Sequence, residues 1–531
     1  MASAYGTDML DPAADGRLAH EQVPEQFNIV PLLIDRHVAE GRGARPAIVT
    51  PERTIRYAEL AAGVARAARL FERLHVQREQ RVALLLPDGP EFAYAFFGAM
   101  RAGMVPVPLS TLGTVDDHDY AFRDSRAVAL VTDATLYPRV ADVWRGVPTL
   151  RSCLVAGAAP PETLAFDAAL AAEPPDSPPA PTHRDDMAYW LYSSGTTGRP
   201  KAIVHLHHDM LFCVGPYARH VLGLTPEDRT FAVPRLFFSY GLTSCLYLPF
   251  WVGASTVLVA ERPDPARVFE LWATLRPTIF FSVPTSYTAL LRQAALAPPD
   301  LSSLRLCVSA GEPLPAPLYH RWMETTGIEC LDGLGATEVG YIYISNRPGA
   351  VRPGSSGRLL PGYRARLVDG EGREVPPGAA GDLWMSGESV AAGYWTKHEK
   401  TKAAFVGEWF RTGDRYVADA DGYYVYQGRA DDLLRVGANW VSPLEVEACL
   451  LEHPAVAECA VVGGRDADGL EKPHAFVVLR PGVSGDGLTD GLRAHVRARL
   501  PAFKAPRWVT VVAELPKTAT GKVQRFRLRA G

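Results

Sequence analysis

The sequence predicts an α/β protein with a large N-terminal domain of parallel βαβ sheets, a small antiparallel β subdomain and a small α+β domain at the C-terminus. Three observations carry this reading. Short apolar runs alternate with amphipathic helical segments over most of the chain, as in parallel strands joined by crossover helices. From about Gly354 the apolar runs instead fold about Asp-Gly pairs, a hairpin signal. After "GRADDLLRVGANWV" the order becomes helix, strand, strand, helix, strand. A chain of 531 residues is also too long for one hydrophobic core.

Taken in order, "RVALLLPD" (81–88) reads as a buried strand and "EFAYAFFGAMRAG" (91–103) as a helix closed by Gly103. "VPVPLS", "VALVTD" (128–133), "AYWLYSS" (188–194), "TIFFSVPTS" (278–286) and "LRLCVSAGE" (304–312) continue the strand series. The Pro- and Ala-rich stretch between 157 and 186 reads as a surface excursion, because the βαβ pattern resumes beyond it. "YRARLVDGEGREV" and "RYVADADGYYVYQGR" are the hairpins. "SPLE" (442–445) starts a helix, with Ser442 as N-cap, Pro443 at the first position and Glu445 completing a capping box. Strands at 456–462, 473–479 and 508–512 and a helix at 488–500 complete the last domain. The boundary falls at 430/431, and the β subdomain covers about 354–430.

Composition narrows the function. An apolar fraction of 47% and a charged fraction of 21% are those of a globular protein. A net charge of -4 gives no basic footprint, which argues against nucleic acid as the main partner. The seven cysteines are scattered, with no C-x-x-C pair, poor material for a zinc site or a disulfide framework and consistent with a reducing, cytoplasmic setting. No secretory signal is visible at the N-terminus, and the apolar runs are shorter than the ~20 residues of a membrane span.

The chemistry centres on "YSSGTTGRPK" (192–201). Glycines at 195 and 198 let the backbone approach an anion. Ser193, Ser194, Thr196 and Thr197 add hydroxyls and Lys201 adds charge, a composition suited to phosphate. The spacing is not that of a Walker loop. By itself this stretch is matched almost equally by a polar surface turn. "GLGATE" (333–338) places Glu338 after a glycine-rich strand exit, and a hard carboxylate there suits Mg²⁺ held with substrate phosphates. "WFRTGD" (409–414) ends in Asp414, an acceptor for a ribose diol. "GRADD" (428–432) offers Arg429 for ribose or phosphate and Asp431 at the boundary. "PKTATGKVQR" (516–525) carries Lys522 after a Thr-Gly loop.

In this order and spacing the five motifs resemble the adenylate-forming superfamily of acyl-CoA synthetases, luciferases and peptide-synthetase adenylation domains, over essentially the whole chain. The resemblance implies ATP, Mg²⁺ and a thiol acceptor, usually CoA. A carboxylate attacks the α-phosphate, pyrophosphate leaves, and the thiol then displaces AMP. It also implies roles. Residues 193–201, Gly195 and Gly198 included, would hold the β- and γ-phosphates. Thr337 would contact the α-phosphate and Glu338 the metal. Asp414 and Arg429 would grip the ribose, with Asp332 and Gly333 also at the ATP site. Lys522 would bridge the carboxylate and α-phosphate. Asp431 would be the hinge of a mobile C-terminal lid.

Within the superfamily, "RLFFSYGL" (235–242), "DGLGATEVGYIYISN" (332–346), "GRADDLLRVGANWVSPLEVE" (428–447) and "LPKTATGKVQRFRLR" (515–529) resemble benzoate-CoA ligases. The acyl pocket would then lie between Phe238, Ser239 and Tyr240 on one side and Gly335, Tyr341 and Ile342 on the other. Two positions depart from that pattern, Tyr341 where histidine is usual and Ser239 where a small apolar residue is usual. Ala202 also replaces a common glycine. A hydroxyl left unpaired in a dry pocket costs about 1–3 kcal/mol, so both departures point to a hydroxy- or amino-substituted benzoate. A carrier-protein thiol or a small nitrogen nucleophile is the alternative acceptor, and a homodimer is compatible with the sequence. "HLHHDM" (205–210) holds three histidines. It is expected to be the helix after the phosphate loop and not a transition-metal site.

Overall fold

Apolar runs without polar alternation become the centre of the main sheet. The structure, a computed structural model, describes residues 20–193, 199–429, 434–436, 439–466, 470–483, 485, 487–517 and 523–529. Strands Pro46–Val49, Ser255–Val257, Arg229–Ala232, Ile279–Ser282, Leu306–Ala310 and Cys330–Gly335 run parallel in that spatial order. Every residue of Ile279–Ser282 and Leu306–Ala310 is buried, as expected of parallel strands covered on both faces. A second parallel sheet runs Val105–Pro108, Arg81–Leu85, Ala129–Asp133, Ser152–Ala156, Leu164–Ala165. The Pro- and Ala-rich excursion thus supplies an edge strand, and the helix Phe166–Ala171 follows it.

The antiparallel strands expected to form their own sheet after Gly354 instead extend the main one. Ile342–Ser345 pairs with Cys330–Gly335, Gly357–Leu359 pairs with Ile342–Ser345, and Tyr423–Arg429, Trp409–Ala418, Ala380–Ser386 and Arg364–Val368 follow. The join depends on Gly357. Its φ is +94°, and a Cβ there would lie 1.9 Å from the carbonyl carbon of Ser345, so only glycine lets the two backbones meet. The hairpin about residues 419–422 forms as expected. The other closes only as a single bridge, Val368 to Glu374, because Arg364–Val368 pairs along its length with Ala380–Ser386.

The segment expected to hold phosphate also sits differently from a strand-to-helix exit. Met187–Ser193 and Lys201–Leu206 are antiparallel, with Ser193 opposite Lys201, and Gly393–Tyr394 adds a third strand. The loop is therefore the connection of a hairpin. The following helix begins only at Asp209, so "HLHH" spans a strand end and a turn, not a helix.

The C-terminal residues close their own core, including Val446, Leu450, Val461, Val477, Leu492 and Val496. Val456–Arg465, Glu471–Leu479 and Trp508–Val511 form the sheet beneath helices Pro443–Leu451 and Leu488–Arg497. The capping box at 442–445 does not form. Ser442 makes no side-chain cap, and Glu445 lies 2.6 Å from Lys504 Nζ, a charge-assisted contact stronger than one to a neutral amide.

Candidate active site

The strand Cys330–Gly335 ends in a 3-10 turn, Thr337–Val339, closed by Gly340 at φ +83°. Each carbonyl of this turn has an outside donor. Thr337 O lies 2.7 Å from His205 Nε2, Glu338 O accepts from Ala391 N at 2.8 Å, and Val339 O accepts from the Ser389 hydroxyl at 2.8 Å. A 3-10 turn has poor internal hydrogen bonds, so these clamps fix where Thr337 and Glu338 point.

Glu338 is held from two sides. Lys201 Nζ is 2.9 Å from Oε1 and the Tyr394 hydroxyl donates to the same oxygen at 2.9 Å, while Lys201 Nζ also stands 3.8 Å over the Tyr394 ring. Burial, then the Glu338 charge, pushes the Tyr394 phenol up, keeping it a neutral donor. Tyr394 was missed by sequence reading, since nothing in "AAGYW" sets it apart from a core tyrosine. The hairpin brings it to Glu338 through the pairing of Gly393–Tyr394 with Lys201–Leu206. Replacing Tyr394 by Phe removes one hydrogen bond to a carboxylate, worth about 1.5–2 kcal/mol. If Glu338 is the metal ligand that the sequence resemblance implies, the Mg²⁺-ATP concentration needed for half-maximal rate should rise roughly tenfold, checked by titrating both at saturating acid.

Asp414 and Arg429 face each other across the ladder, with Nη1 3.5 Å from Oδ1 and the Tyr426 hydroxyl 3.4 Å from the same oxygen. The structure thus joins the two ribose candidates. Asp332 is buried, and burial pushes its carboxyl well above the usual carboxylate range. Its Oδ1 has no partner among the described residues, leaving an acceptor for an incoming donor. At Gly333 a Cβ would stand 2.9 Å from Ile342 Cγ2. Ser193 Oγ is likewise buried without a partner among the described residues. Ser194, Gly195, Thr196, Thr197, Gly198, Asp431 and Lys522 lie outside the described residues. The base of the segment holding Lys522 is described: Lys517 and Val523 form an antiparallel bridge, Lys517 pairs with Glu458 at 2.6 Å, and Arg525 with Glu447 at 2.9 Å.

Among the residues expected to line the acyl pocket, Ser239 Oγ lies 3.4 Å from Thr337 Oγ1, so the acyl and α-phosphate candidates are in contact. The Tyr240 hydroxyl, with one proton to donate, lies within reach of both Ser282 O and Val308 O at 3.1 and 3.0 Å, and its ring lies 6.1 Å from that of Tyr341. The Phe238 ring lies 4.3 Å from that of Phe237, tilted by 53°. Gly335 has no room for a side chain, a Cβ being 2.9 Å from Tyr341 O, and Ile342 is buried. Tyr341 corrects an expectation. Its hydroxyl is not left unpaired, because Ser244 Oγ lies 2.7 Å away, and its ring packs in the core against Tyr217. Of the two departing positions, Ser239 is the one whose hydroxyl lies toward Thr337.

The model of the AMP-binding enzyme family matches residues 35–395, and that of the AMP-binding enzyme C-terminal domain matches 445–522. The chain belongs to the AMP-binding enzyme family. It stands among the benzoate-CoA ligase-like members of the adenylate-forming superfamily. It is 45% identical to the benzoate-CoA ligase of Thauera aromatica, over 96% of this chain and 97% of that one. It is 43% identical to the 4-hydroxybenzoate-CoA/benzoate-CoA ligase of Rhodopseudomonas palustris, over 95% and 94%. The crystal structure of the anthranilate CoA ligase AuaEII with anthranoyl-AMP superposes with a TM-score of 0.93 at 41% identity, over 97% of this chain and 98% of that one.

Proposed function

We propose that the protein activates a benzoate-type acid, hydroxy- and amino-substituted rings included, and transfers the aroyl group to CoA. In the first step a carboxylate oxygen attacks the α-phosphorus of ATP, the bond to the bridging oxygen breaks, and pyrophosphate leaves. In the second the CoA thiol loses its proton, its sulfur attacks the aroyl carbonyl, and AMP departs with the electron pair. The observation that carries this reading is the contact of Ser239, which would lie on the acyl side, with Thr337, whose neighbour Glu338 and its partner Lys201 would face the phosphates.

Thr337 would orient the α-phosphate, Asp414 and Arg429 would hold the ribose, and residues 193–201 would hold the departing pyrophosphate. Lys522 would neutralise charge as it crowds at the α-phosphate. The carboxylate of Glu338, fixed by Tyr394 and bordering the phosphate loop, fits Mg²⁺, a hard cation that prefers oxygen ligands. When bound it would offset phosphate charge that Lys201, already paired with Glu338, cannot balance alone. The lid would turn about Asp431 between the two steps, withdrawing Lys522 and admitting the thiol. Free, mostly buried cysteines suit a cytoplasmic location. Among the described residues no helix is long and apolar enough to cross a membrane.

The test is acid-dependent pyrophosphate release across benzoate, 2-aminobenzoate and 3- and 4-hydroxybenzoate, with products weighed by mass spectrometry with and without CoA. Aroyl-CoA and AMP from at least one of these acids is the expected result. Pyrophosphate release with no aroyl-CoA would replace CoA by another acceptor, such as a carrier-protein thiol or an amine. No release with any of them would overturn the reading.

A further inference from the structure

The three histidines of "HLHHDM" separate into three settings. His207 is buried, its ring held neutral by burial, and its Nδ1 accepts from Ile29 N at 3.4 Å. His208 Nδ1 donates to Arg184 O at 3.0 Å and lies 3.1 Å from Asp185 Oδ1, which also meets His20 Nε2 at 2.9 Å. His205 is different, because both of its ring nitrogens face acceptors. Nδ1 is 2.7 Å from Asp209 Oδ2 and Nε2 is 2.7 Å from the carbonyl oxygen of Thr337.

A carbonyl can only accept, so Nε2 carries a proton. The short contact on the other side needs one more proton between Nδ1 and the carboxylate. The His205–Asp209 pair therefore holds two protons, either as an imidazolium and carboxylate or as a neutral pair. Both side chains are fully buried. Asp209 Oδ2 also accepts from Leu206 N at 3.1 Å, and His208 Nε2 stands 3.2 Å from Oδ1, off the line of a hydrogen bond. The ring stacks at 4.9 Å on Tyr189. The other titratable neighbours, Tyr189, Tyr247, Tyr363 and Cys213, are pushed well above their usual range by burial and stay neutral.

We propose that His205 and Asp209 are positioning residues for adenylation: the dyad donates an N–H to the Thr337 carbonyl and so aims the turn that bears Thr337 and Glu338. The proposal rests on the reading of Thr337 as the α-phosphate contact. Of the three carbonyls of the turn, Thr337 O is the one whose outside donor is an ionisable side chain, and Asp209 sets which protons that side chain carries. Neither residue touches the reacting atoms. A group that aims another acts on the rate more than on ground-state binding.

Three variants test this, each first compared with the parent by thermal unfolding. His205→Phe keeps a ring on Tyr189 but removes both donors, and Asp209→Leu removes the acceptor that orders the imidazole. In both, kcat for pyrophosphate release is expected to fall roughly tenfold to a hundredfold, with KM for ATP and acid changing less than about threefold. Asp209→Asn is the rescue. An asparagine amide N–H can donate to Nδ1 while Nε2–H still donates to Thr337, at the cost of the bond from Leu206 N to Oδ2, so this variant is expected to recover part of the kcat that Asp209→Leu loses.

If folded His205→Phe keeps the parental kcat, or loses rate only through a rise in KM, the positioning role is wrong. If Asp209→Asn falls as far as Asp209→Leu, the proton assignment is wrong. Should His205→Phe not fold, the Asp209 pair decides alone. The parent enzyme assayed on the benzoate panel separates failure of this proposal from failure of the functional reading, since the variants are compared only once the parent turns over.

Discussion

Replacing Lys522 by Ala should reduce acid-dependent pyrophosphate release by on the order of 10²–10³ or more, the range for removing a donor aimed at developing charge. The same variant, given preformed aroyl-adenylate and CoA, should make thioester at close to the parental rate. The asymmetry follows from the proposed lid rotation: in the second half-reaction Lys522 would have left the site. The bridge between Lys517 and Val523 and the ion pairs of Lys517 with Glu458 and Arg525 with Glu447 lie on either side of Lys522. Removing its ammonium should leave those contacts in place. Single-turnover measurement of each half-reaction decides the matter, and equal losses in both would remove the argument for lid rotation.

Arg235→Leu should be the most destabilising of the substitutions considered, by about 3–5 kcal/mol, the cost of breaking a buried ion pair. Arg235 Nε lies 3.3 Å from Asp88 Oδ2, and its other nitrogens donate to the carbonyls of Val259, Ala260 and Glu261. Asp88 Oδ1 in turn accepts from Leu236 N at 3.2 Å. This network anchors the start of "RLFFSYG", the acyl-side segment. At Gly241 a Cβ would stand 2.3 Å from the carbonyl oxygens of Pro234 and Arg235, so the segment has no slack. Burial lifts the Asp88 carboxyl to about 6, against the lowering effects of Arg235 and the Leu236 amide.

A carboxyl raised in the folded state favours folding while it is protonated, and that advantage is lost as pH climbs through the folded value. Without Arg235 the carboxyl rises further. The deficit of the variant should therefore be largest at mildly alkaline pH and shrink on acidification, as read from urea midpoints across pH. The double variant Arg235→Leu, Asp88→Asn, with neither charge left, should regain part of the loss.

The parallel core was legible because its strands carry no polar alternation, as at Ile279–Ser282, so period and burial agree. Local patterns failed where a distant partner competed. Glu445 had the spacing of a capping box, but Lys504 reaches it from 59 residues away. The strands after Gly354 looked self-contained, and only the backbone approach at Gly357 shows that they join the main sheet. Among the candidate site residues, Thr337, Glu338, Asp414 and Arg429 could be singled out because each sits in a short polar and glycine motif, although Asp414 proves to lie within the strand Trp409–Ala418 and not at its end. Tyr394 and His205 could not, because their meaning lies in what the fold sets opposite them. Tyr341 drew attention as a departure from a family pattern, yet Ser244 satisfies its hydroxyl from a segment with no motif of its own.

The hairpin that carries the phosphate segment has a consequence for turnover. In a Walker-type loop the positive end of a helix holds the triphosphate. Here the next helix starts at Asp209, and the side chain of that residue, engaged with His205, occupies its first turn, so this end is not open to a phosphate. Whatever grips the leaving phosphates must then do so through separate contacts on two strands and their connection. Such a grip can be undone one contact at a time. A catalyst that must shed pyrophosphate before CoA can enter gains from a loose hand: speed of exchange matters more than strength of hold.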